Sequence, residues 1–316
     1  MRLEYQIVIA FALDAVLGDP QWFPHPVRFI GKFAAGLEHP LRSFFRNAFV
    51  AGLALWLIVL LTVGGLAGGV LFAAYWIHPL AGDMVAIILL YFGIGFRDLI
   101  DHSRRVHKAL VVNNLPEARR RLGMFVGRDT ANLDQGETVR ATVESIAESL
   151  LDGVTAPVFF AVLGGPVGMW LYKAVNTLDS MFGHKDRQYI LFGRVSAKID
   201  DAANYIPARL TAPLVAIAAF LTGGNARESL RILRRDGRKH PSPNAGLSEA
   251  AFAGAMEIRL GGLNYYDGQP EHLPVMGDDK QPLAAHHIPQ ANRLMAVTVL
   301  LFLILLLSFR VLIMNS

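Results

Sequence analysis

Acidic residues recur at helical spacing between residues 137 and 152. At about 100° per residue, one stripe of the predicted helix holds Glu137, Arg140, Glu144, Glu148 and Asp152, and apolar side chains fall on the opposite side. Like charges at i, i+4 and i+8 repel by roughly 0.2–0.5 kcal/mol per pair, a cost that a divalent cation would relieve. Glu144 and Asp152 are therefore candidate ligands of magnesium, which takes one or two carboxylates and leaves its other positions to water and phosphate. A solvated helix surface is the alternative.

A second polar group lies between two apolar runs. Its members are Lys173, Asn176, Asp179, Ser180, Asp200, Asp201 and Asn204. Ionisable residues at or near bilayer depth mark functional sites, because their desolvation is costly unless a partner, an ion or a ligand compensates for it. If the segment lines a cavity, Lys173 can neutralise a phosphate while Asp179, Asp200 and Asp201 hold magnesium. If the segment is interfacial, these are ordinary residues at headgroup level.

Basic residues form two further candidate anion sites. Arg128 follows a glycine in VGRDTANLD, and its guanidinium fork suits phosphate or carboxylate; Asp129 or Thr130 as a helix N-cap is the alternative interpretation of this segment. In RDGRKHPSPNAG, Lys239 and His240 precede a turn whose backbone can cradle anions, and a loop near anionic lipid is the alternative there. No Walker motif or G-x-G-x-x-G accompanies these residues.

The composition predicts that these residues are positioned by membrane helices. Hydrophobic residues make up 53% of the 316 residues and charged residues 18%, and the mean hydropathy is +0.36. The run 48–77 has no charge and exceeds the roughly 20 residues that a spanning helix needs. The run 294–314 is a second span, in which Arg310 can snorkel from a helix end.

Four weaker apolar runs complete the predicted topology. Runs 3–17 and 83–96 are expected to span, whereas 154–172, broken by GGPVG, and 205–221, which carries Arg209, either span or re-enter. The positive-inside rule favours a four-span protein with two re-entrant segments, cytoplasmic basic loops and both termini outside. The predicted fold class is thus an all-α integral membrane protein with large cytoplasmic helical loops, organised as a single domain over residues 1–316.

Absences narrow the chemistry further. The chain has no cysteine, which excludes disulfides, thiolate metal sites and cysteine nucleophiles. The net charge is +4, and no basic patch interleaved with aromatic residues indicates nucleic acid. The first apolar run is followed by GDPQWFPHPVR and not by a small-residue cleavage site, so we expect it to be retained.

Taken together, several segments resemble one known family, the membrane-bound adenosylcobinamide-phosphate synthases of cobalamin biosynthesis (CbiB/CobD). The resemblance runs in order from about residue 13 to 267 and rests on LDAVLGDPQWFPHPVRFIG, GRDT, ES-x-AE-x-x-x-DG-x-x-AP, KAVNTLDSMFGHKD, FGRVSAKIDDAANYIPARLTA, RKHPSPNAGLSEAAFAGA and RLGGLNYYDG. One departure is Ser149, where the family commonly has Asn after the glutamate. Serine keeps a polar donor and acceptor at this position.

The resemblance implies an ATP-dependent ligase that joins adenosylcobyric acid to (R)-1-aminopropan-2-yl phosphate or a similar amino alcohol phosphate. Under this hypothesis Glu148, His240 and Lys173 are catalytic, with Glu148 or His240 taking the proton from the amine. Phosphate or propionate binding is assigned to Arg128, Lys185, Arg209, Lys239, Asn176 and Asn244. Magnesium is assigned to Glu144, Asp152, Asp179, Asp200 and Asp201.

The implied setting is a multi-pass protein of the cell membrane whose active site faces the cytoplasm. ATP is a co-substrate, the adenosylcorrinoid is the substrate, and lipid surrounds the protein. Self-association and docking of other late cobalamin-pathway enzymes are left open. Alternatives are a magnesium-dependent prenyl- or phosphotransferase, a transporter with paired broken helices, and a non-catalytic sensor related to the family.

Overall fold

The structure, a computed structural model, describes residues 1–19, 25–184 and 186–315, with side chains to residue 312. The described residues form helices α1 (Leu3–Leu17), α2 (Pro26–Phe44), α3 (Ala48–Ile77), α4 (Pro79–Gly93), α5 (Phe96–Val111), α6 (Leu115–Leu122), α7 (Gln135–Ser149), α8 (Ala156–Phe182), α9 (Arg194–Thr222), α10 (Ala226–Asp236), α11 (Ala245–Met256) and α12 (His287–Asn315). A π-helical segment, Leu150–Thr155, joins α7 to α8. Strands β1 (Leu260–Tyr266) and β2 (Gln269–Met276) form an antiparallel hairpin.

Five helical stretches among the described residues are long and apolar enough to cross a membrane. They are Ala48–Ile77, Pro79–Val111, Gln135–Phe182, Arg194–Thr222 and His287–Leu312. The predicted class, an all-α membrane protein, is confirmed. Helix α1 has 15 residues, about 22 Å at 1.5 Å per residue, which is shorter than the roughly 30 Å of a bilayer core. Whether the stretches at 154–172 and 205–221 span or re-enter stays a prediction.

His-Pro pairs begin two of the helices. His25 Nδ1 accepts from the Val27 amide at 3.2 Å, and His78 Nδ1 accepts from the Leu80 amide at 3.1 Å. In each case the proline that follows occupies the first helical turn, where its missing N–H costs nothing and its fixed φ favours the helix. These histidines have a capping role that follows from local sequence alone.

Helix α8 is broken where the sequence carries GGPVG. Gly164 and Gly165 leave helical geometry, Gly165 with φ at +61°. Because Pro166 has no N–H, the Val162 carbonyl lacks its usual helical donor. Arg310 supplies one instead: its Nη1 donates to Val162 O at 2.7 Å, and its Nε lies 3.7 Å from Glu4 Oε1. Arg310 therefore contacts protein groups, in place of the predicted snorkelling.

The chain divides into two compact units, each assembled from separate stretches. The first contains Met1–Gly95, Ala156–Asn204 and Leu306–Ser316; the second contains Phe96–Thr155 and Tyr205–Leu305. In the first unit, α2, α3 and α8 pack around a core that includes Leu55, Leu178 and Phe192. In the second, buried residues of α7, α10 and α11 form the core with the hairpin. The predicted single domain is not tested by this division.

Candidate functional site

In the second unit, the hairpin anchors the segment that carries Arg128. The Asp129 amide donates to Tyr265 O at 2.8 Å, and Asp129 Oδ2 accepts from the Gly268 amide at 2.7 Å. The interpretation of Asp129 or Thr130 as the N-cap of the acidic helix is wrong. Asp134 caps α7 through a capping box with Glu137, because its carboxylate satisfies a first-turn amide and Glu137 reaches back to the cap.

Arg128 and Glu144 form a buried ion pair. Arg128 Nη2 lies 2.6 Å from Glu144 Oε2, and Arg128 Nη1 donates to Asn264 Oδ1 at 2.7 Å. Glu144 Oε1 accepts from the Gly261 amide at 2.7 Å, and Arg140 Nη1 lies 3.3 Å from the same oxygen. Both oxygens of Glu144 are thus engaged by protein groups. The magnesium role assigned to Glu144 stays a prediction, and this geometry favours a role in positioning Arg128.

The face of α7 that carries these groups is enclosed by protein. Residues 138–147 are all buried, so the alternative of a solvated helix surface is wrong for this stretch. Arg140 also donates to the carbonyls of Gly261 at 2.6 Å and Leu263 at 2.9 Å. These hydrogen bonds satisfy a guanidinium that would otherwise be costly to bury. They tie the hairpin to the helix that carries Glu144.

Two further glutamates extend the charge cluster. Glu249, on α11, is 5% exposed, and burial raises its pKa well above the ordinary value, with the charges of Glu144 and Glu148 adding to the rise and Arg128 opposing it. Burial disfavours the charged form of a carboxyl group, as do neighbouring negative charges. Glu148 is exposed and has no hydrogen bond within the described residues. It is the carboxylate of this cluster that is open to a ligand.

His240 lies near Glu249. Its Nε2 is 3.9 Å from Glu249 Oε1, and its Nδ1 accepts from the Ser242 amide at 3.1 Å. This hydrogen bond assigns the neutral tautomer with hydrogen on Nε2. His240 is then a donor toward Glu249, which makes Glu148 the better placed of the two candidates for proton acceptor.

Besides Glu144 Oε2, which has its ion pair with Arg128 but no hydrogen bond, two buried polar atoms at the cluster have no hydrogen-bond partner within the described part of the chain. They are Ser248 Oγ and Asn264 Nδ2, and both side chains are fully buried. Ser248 adjoins Glu249, and Asn264 accepts from Arg128 through its other amide atom. Buried polar groups are nearly always paired. The Ser248 hydroxyl and the Asn264 amide are therefore candidate hydrogen-bond donors to an oxygen-rich ligand.

Asp152 lies outside the regular α-helical stripe of the sequence prediction. α7 ends at Ser149, and Asp152 belongs to the π-helical segment that follows. A π turn contains more residues than an α turn, so the i, i+4, i+8 spacing no longer aligns Asp152 with Glu144 and Glu148. Its magnesium role stays a prediction. Such π-helical interruptions are frequent at functional sites.

Three arginines line a separate cavity of about 370 Å³ in the second unit: Arg209, Arg234 and Arg238. The Arg209 guanidinium stacks on Tyr205, with Cζ 3.3 Å from the ring centroid, and donates to Asn244 Oδ1 at 3.2 Å. Arg234 and Arg238 make no hydrogen bond or ion pair with the described residues. The cavity is therefore strongly positive and suits a phosphate or carboxylate.

Lys239, to which the sequence analysis assigns phosphate binding, forms an ion pair with a carboxylate of the protein. Its Nζ lies 2.7 Å from Asp236 Oδ1, and the same buried carboxylate binds Arg235 and the Gly277 amide. The phosphate role of Lys239 stays a prediction, and Arg238 next to it is the more available cation.

The first unit contains the buried acid Asp200. Asn204 Nδ2 donates to Asp200 Oδ2 at 2.9 Å, and Asn204 Oδ1 accepts from the Tyr172 hydroxyl at 2.9 Å. Asn176 Nδ2 donates to Asp200 Oδ1 at 3.4 Å. The predicted polar faces around Lys173 and Asp200 therefore meet, and buried Asn204 fixes the Asp200 carboxylate.

Other predicted members of this acidic group lie nearby. Asp179 and Asp201 are close enough to Asp200 for their negative charges to interact with its carboxyl group. Lys173 lies on α8 one turn before Asn176 and Thr177. Lys185 falls outside the described residues. No three His, Asp or Glu side chains among the residues described here are grouped to hold a metal. Magnesium needs only one or two carboxylates when phosphate completes its shell, and the aspartates around Asp200 fit that donor set.

Several site residues escaped the sequence prediction. Glu249, Asn264 and Arg234 were not among the candidates, although all three lie against predicted ones. Glu249 carried a usable signal, since it is a lone acid in an alanine-rich apolar helix, SEAAFAGA. No sequence signal identifies Asn264, because its position beside Arg128 depends on a hairpin that folds back onto α7.

Comparisons with known proteins agree on one family. A profile described as CobD/Cbib protein matches residues 7–295. The cobalamin biosynthesis protein CobD of Leptospira interrogans is 45% identical over 299 residues, 95% of each chain. That of Geobacter metallireducens is 48% identical over 279 residues, 88% of each chain. The cobalamin biosynthesis protein CbiB of Salmonella typhimurium is 41% identical over 305 residues, 96% of each chain. No solved structure matches.

Proposed function

The chain belongs to the CobD/CbiB family of cobalamin biosynthesis proteins, and we propose that it is the ATP-dependent ligase that joins adenosylcobyric acid to (R)-1-aminopropan-2-yl phosphate or a similar amino alcohol phosphate. The product is adenosylcobinamide phosphate. The observation that carries the proposal is the cluster of Arg128, Glu144, Glu148 and Glu249, in which the Glu148 carboxylate is exposed and the buried acid Glu249 is held with a raised pKa.

The reaction requires activation of a carboxylate. A propionate is a poor electrophile, and transfer of the γ-phosphoryl group of ATP to its oxygen gives an acyl phosphate and ADP. The amine then attacks the acyl carbon, the C–N bond forms, and phosphate leaves with its oxygen. One proton leaves the amine nitrogen. Catalysis of such steps depends on positioning and on stabilisation of phosphate charge.

In this proposal Arg128 orients the anionic group and Glu148 takes the amine proton. Arg128 is rigid because Glu144 and Asn264 hold its guanidinium, which suits bidentate recognition of a carboxylate or phosphate. Glu148 is exposed and close enough to Arg128 for their charges to interact. Glu249 with a raised pKa can donate a hydrogen bond to a substrate oxygen, as a buried neutral carboxyl group does.

The arginine-lined cavity is the proposed place for a phosphate of the second substrate or of ATP. Arg209 is fixed by Tyr205 and Asn244, while Arg234 and Arg238 have no partner among the described residues. An incoming phosphate would thus gain charge-assisted hydrogen bonds without breaking an existing ion pair.

Asp179, Asp200 and Asp201 are the residues proposed to hold magnesium. Hard carboxylate oxygens suit this ion, and Asn204 holds the Asp200 carboxylate in place. When bound, magnesium supplies neutralisation of phosphate charge. We propose that the reaction occurs at the cytoplasmic face of the cell membrane, where ATP is available.

The direct test is an assay of the purified, detergent-solubilised protein with adenosylcobyric acid, aminopropanol phosphate and Mg-ATP. Mass spectrometry follows both the corrinoid and ADP. We expect amidated corrinoid to form in step with ADP. A folded protein that forms neither product with any short amino alcohol phosphate would overturn the ligase proposal and leave family membership intact.

A further inference from the structure

A second positive pocket, distinct from every residue of the proposed ligase site, lies between α5 and α12 in the second unit. Its volume is about 330 Å³. Arg104 and His107 line it from α5, Asn292 and Arg293 line it from α12, and Ile100 and Ala296 add apolar wall. The α5 residues are spaced at i, i+4 and i+7 and the α12 residues at i, i+1 and i+4, so each helix presents one face to the pocket.

Asn292 gives this pocket the character of a built site. Asn292 is 7% exposed, and its Oδ1 accepts from Ser103 Oγ at 2.9 Å. Its Nδ2 has no hydrogen-bond partner within the described part of the chain. A buried amide without a partner is uncommon in folded proteins, and this one lines a pocket of cationic groups, where an anion would satisfy it.

The charges of the pocket are poorly compensated. Arg293 makes no ion pair or hydrogen bond with the described residues. Among the described residues, Arg104 pairs only with Asp101, at 4.0 Å, and that carboxylate is held more closely by Arg97 at 3.0 Å. No acidic side chain lines the pocket. An anion would therefore meet two guanidinium groups, an imidazole and an amide donor.

We propose that this pocket binds a phosphate group. A phosphate offers enough acceptor oxygens to engage both arginines and the Asn292 amide at once. The pocket lies where the apolar run of α12 begins, since Leu294 follows Arg293 directly. Basic pockets between membrane helices at this level bind anionic lipid headgroups, and a soluble phosphate is the other source of the same group.

The test compares the full-length protein with the variant Arg104→Gln/Arg293→Gln. Native mass spectrometry measures binding of phosphatidylglycerol, with phosphatidylcholine as the zwitterionic reference of zero net charge, and thermal unfolding of delipidated protein measures binding of inorganic phosphate. At about 1 kcal/mol per arginine, each substitution should weaken binding about fivefold and the pair about 25-fold. Lys108→Gln, an exposed lysine of the same helix outside the pocket, should bind as the wild type does.

A preference for phosphatidylglycerol that disappears in the double variant supports the pocket with lipid as the source. Stabilisation by inorganic phosphate that disappears in the double variant, without a lipid preference, supports it with a soluble source. Equal binding by the wild type and the double variant in both experiments overturns the proposal. Asn292→Asp keeps the shape of the side chain and adds a negative charge that repels phosphate. This variant, purified as a folded protein by size-exclusion chromatography, should bind phosphate and phosphatidylglycerol more weakly than the wild type. Ligase activity has no part in either readout.

Discussion

Arg128 and Glu144 pair at 2.6 Å with their side chains 10% and 4% exposed. Burying two charges is expensive, and the pair persists only where further hydrogen bonds complete it. Here Asn264 binds the arginine and the Gly261 amide binds the glutamate, and both partners come from the hairpin strand β1. The hairpin therefore fixes the orientation of Arg128, and the stability of the hairpin and the geometry of the site depend on each other.

Replacement of Glu144 by Gln should destabilise the protein. The change keeps the shape of the side chain but leaves Arg128 and Arg140 without their counter-charge, and breaking a buried pair costs about 3–5 kcal/mol. Thermal unfolding followed by tryptophan fluorescence in detergent should show a clearly lower midpoint, and ligation should fall with it. The matched control is Glu117→Gln, which removes the two ion pairs of the partly exposed Glu117 with Arg120 and Arg121 and should cost about 1 kcal/mol or less, because such surface pairs contribute little. Equal midpoints for the two variants would contradict the structural role of Glu144.

Replacement of Glu249 by Gln should change the pH dependence of stability. The folded-state pKa of Glu249 lies well above 4.5, so folding takes up a proton above that pH. The stabilising contribution of the neutral acid is fully present below pH 4.5 and is lost as the pH rises toward the folded-state pKa. Glutamine has no proton to lose, so the variant should gain stability relative to the wild type as the pH rises.

The measurement is the unfolding midpoint of both proteins from pH 4.5 upward. Glu144, Glu148, Arg128 and His240 also face this carboxyl group, and the difference between the two curves separates Glu249 from them. Glu271 is exposed, so Glu271→Gln should show the same unfolding midpoint as the wild type at every pH. Parallel curves for the Glu249 variant and the wild type would show that Glu249 ionises normally in the folded state.

Local sequence was enough to place two of the apolar helices at both ends. The predicted ranges 3–17 and 48–77 coincide with α1 and α3. In α3 the apolar run is uninterrupted and Asn47 caps its first turn, whereas α1 contains Glu4 and Asp14 and ends before Gly18. The break at GGPVG was also predicted correctly, since two glycines followed by a proline cannot maintain helical hydrogen bonding.

The candidate site was less accessible to sequence reasoning, because it depends on contacts between distant segments. The hairpin was not predicted, although Asp267-Gly268 between strands is a strong turn signal and both residues adopt positive φ. Without the hairpin nothing identifies Asn264 or explains why Arg128 meets Glu144. The π-helical segment likewise breaks the regular spacing that grouped Asp152 with Glu148.

Asp200→Asn tests the magnesium assignment in the first unit. The substitution keeps a side chain that can bond to Asn204 but removes the charge, so the fold should persist while metal-dependent activity falls by at least the roughly 10- to 100-fold that loss of an outer-shell partner causes. Ligation assayed against magnesium concentration should show a higher requirement for the metal in the variant. The control is Asp279→Asn, whose carboxylate is 65% exposed and should leave the magnesium requirement unchanged. An unaltered magnesium curve for Asp200→Asn would remove Asp200 from the metal site.

Gly165 and Gly164 provide a matched pair at the break in α8. Gly165 has φ of +61° and Gly164 has φ of −126°, and neither would bring a new Cβ closer than 4.0 Å to its surroundings. Gly165→Ala should therefore lose about 1–2 kcal/mol through backbone strain alone, whereas Gly164→Ala should be nearly neutral. Thermal unfolding of the two variants decides this. If both variants unfold at the same temperature, the left-handed conformation at Gly165 is not required by the fold.

The absence of cysteine makes the predicted topology directly testable. Lysine and arginine concentrate in four loops, at residues 18–47, 97–153, 173–204 and 223–293. Single cysteines at one exposed position in each, His39→Cys, Arg120→Cys, Arg187→Cys and Glu271→Cys, report on the side that each loop faces, with no background from native thiols. The positive-inside rule predicts that all four react only when a membrane-impermeant maleimide reaches the cytoplasmic side. Arg2→Cys should react from the opposite side. Since the basic loops flank the stretches at 154–172 and 205–221, labelling of all four loops from one side requires those stretches to return to the side they left. Labelling of Arg187→Cys from the outside would instead make the first of them a true span and separate the loops that carry the two acidic groups.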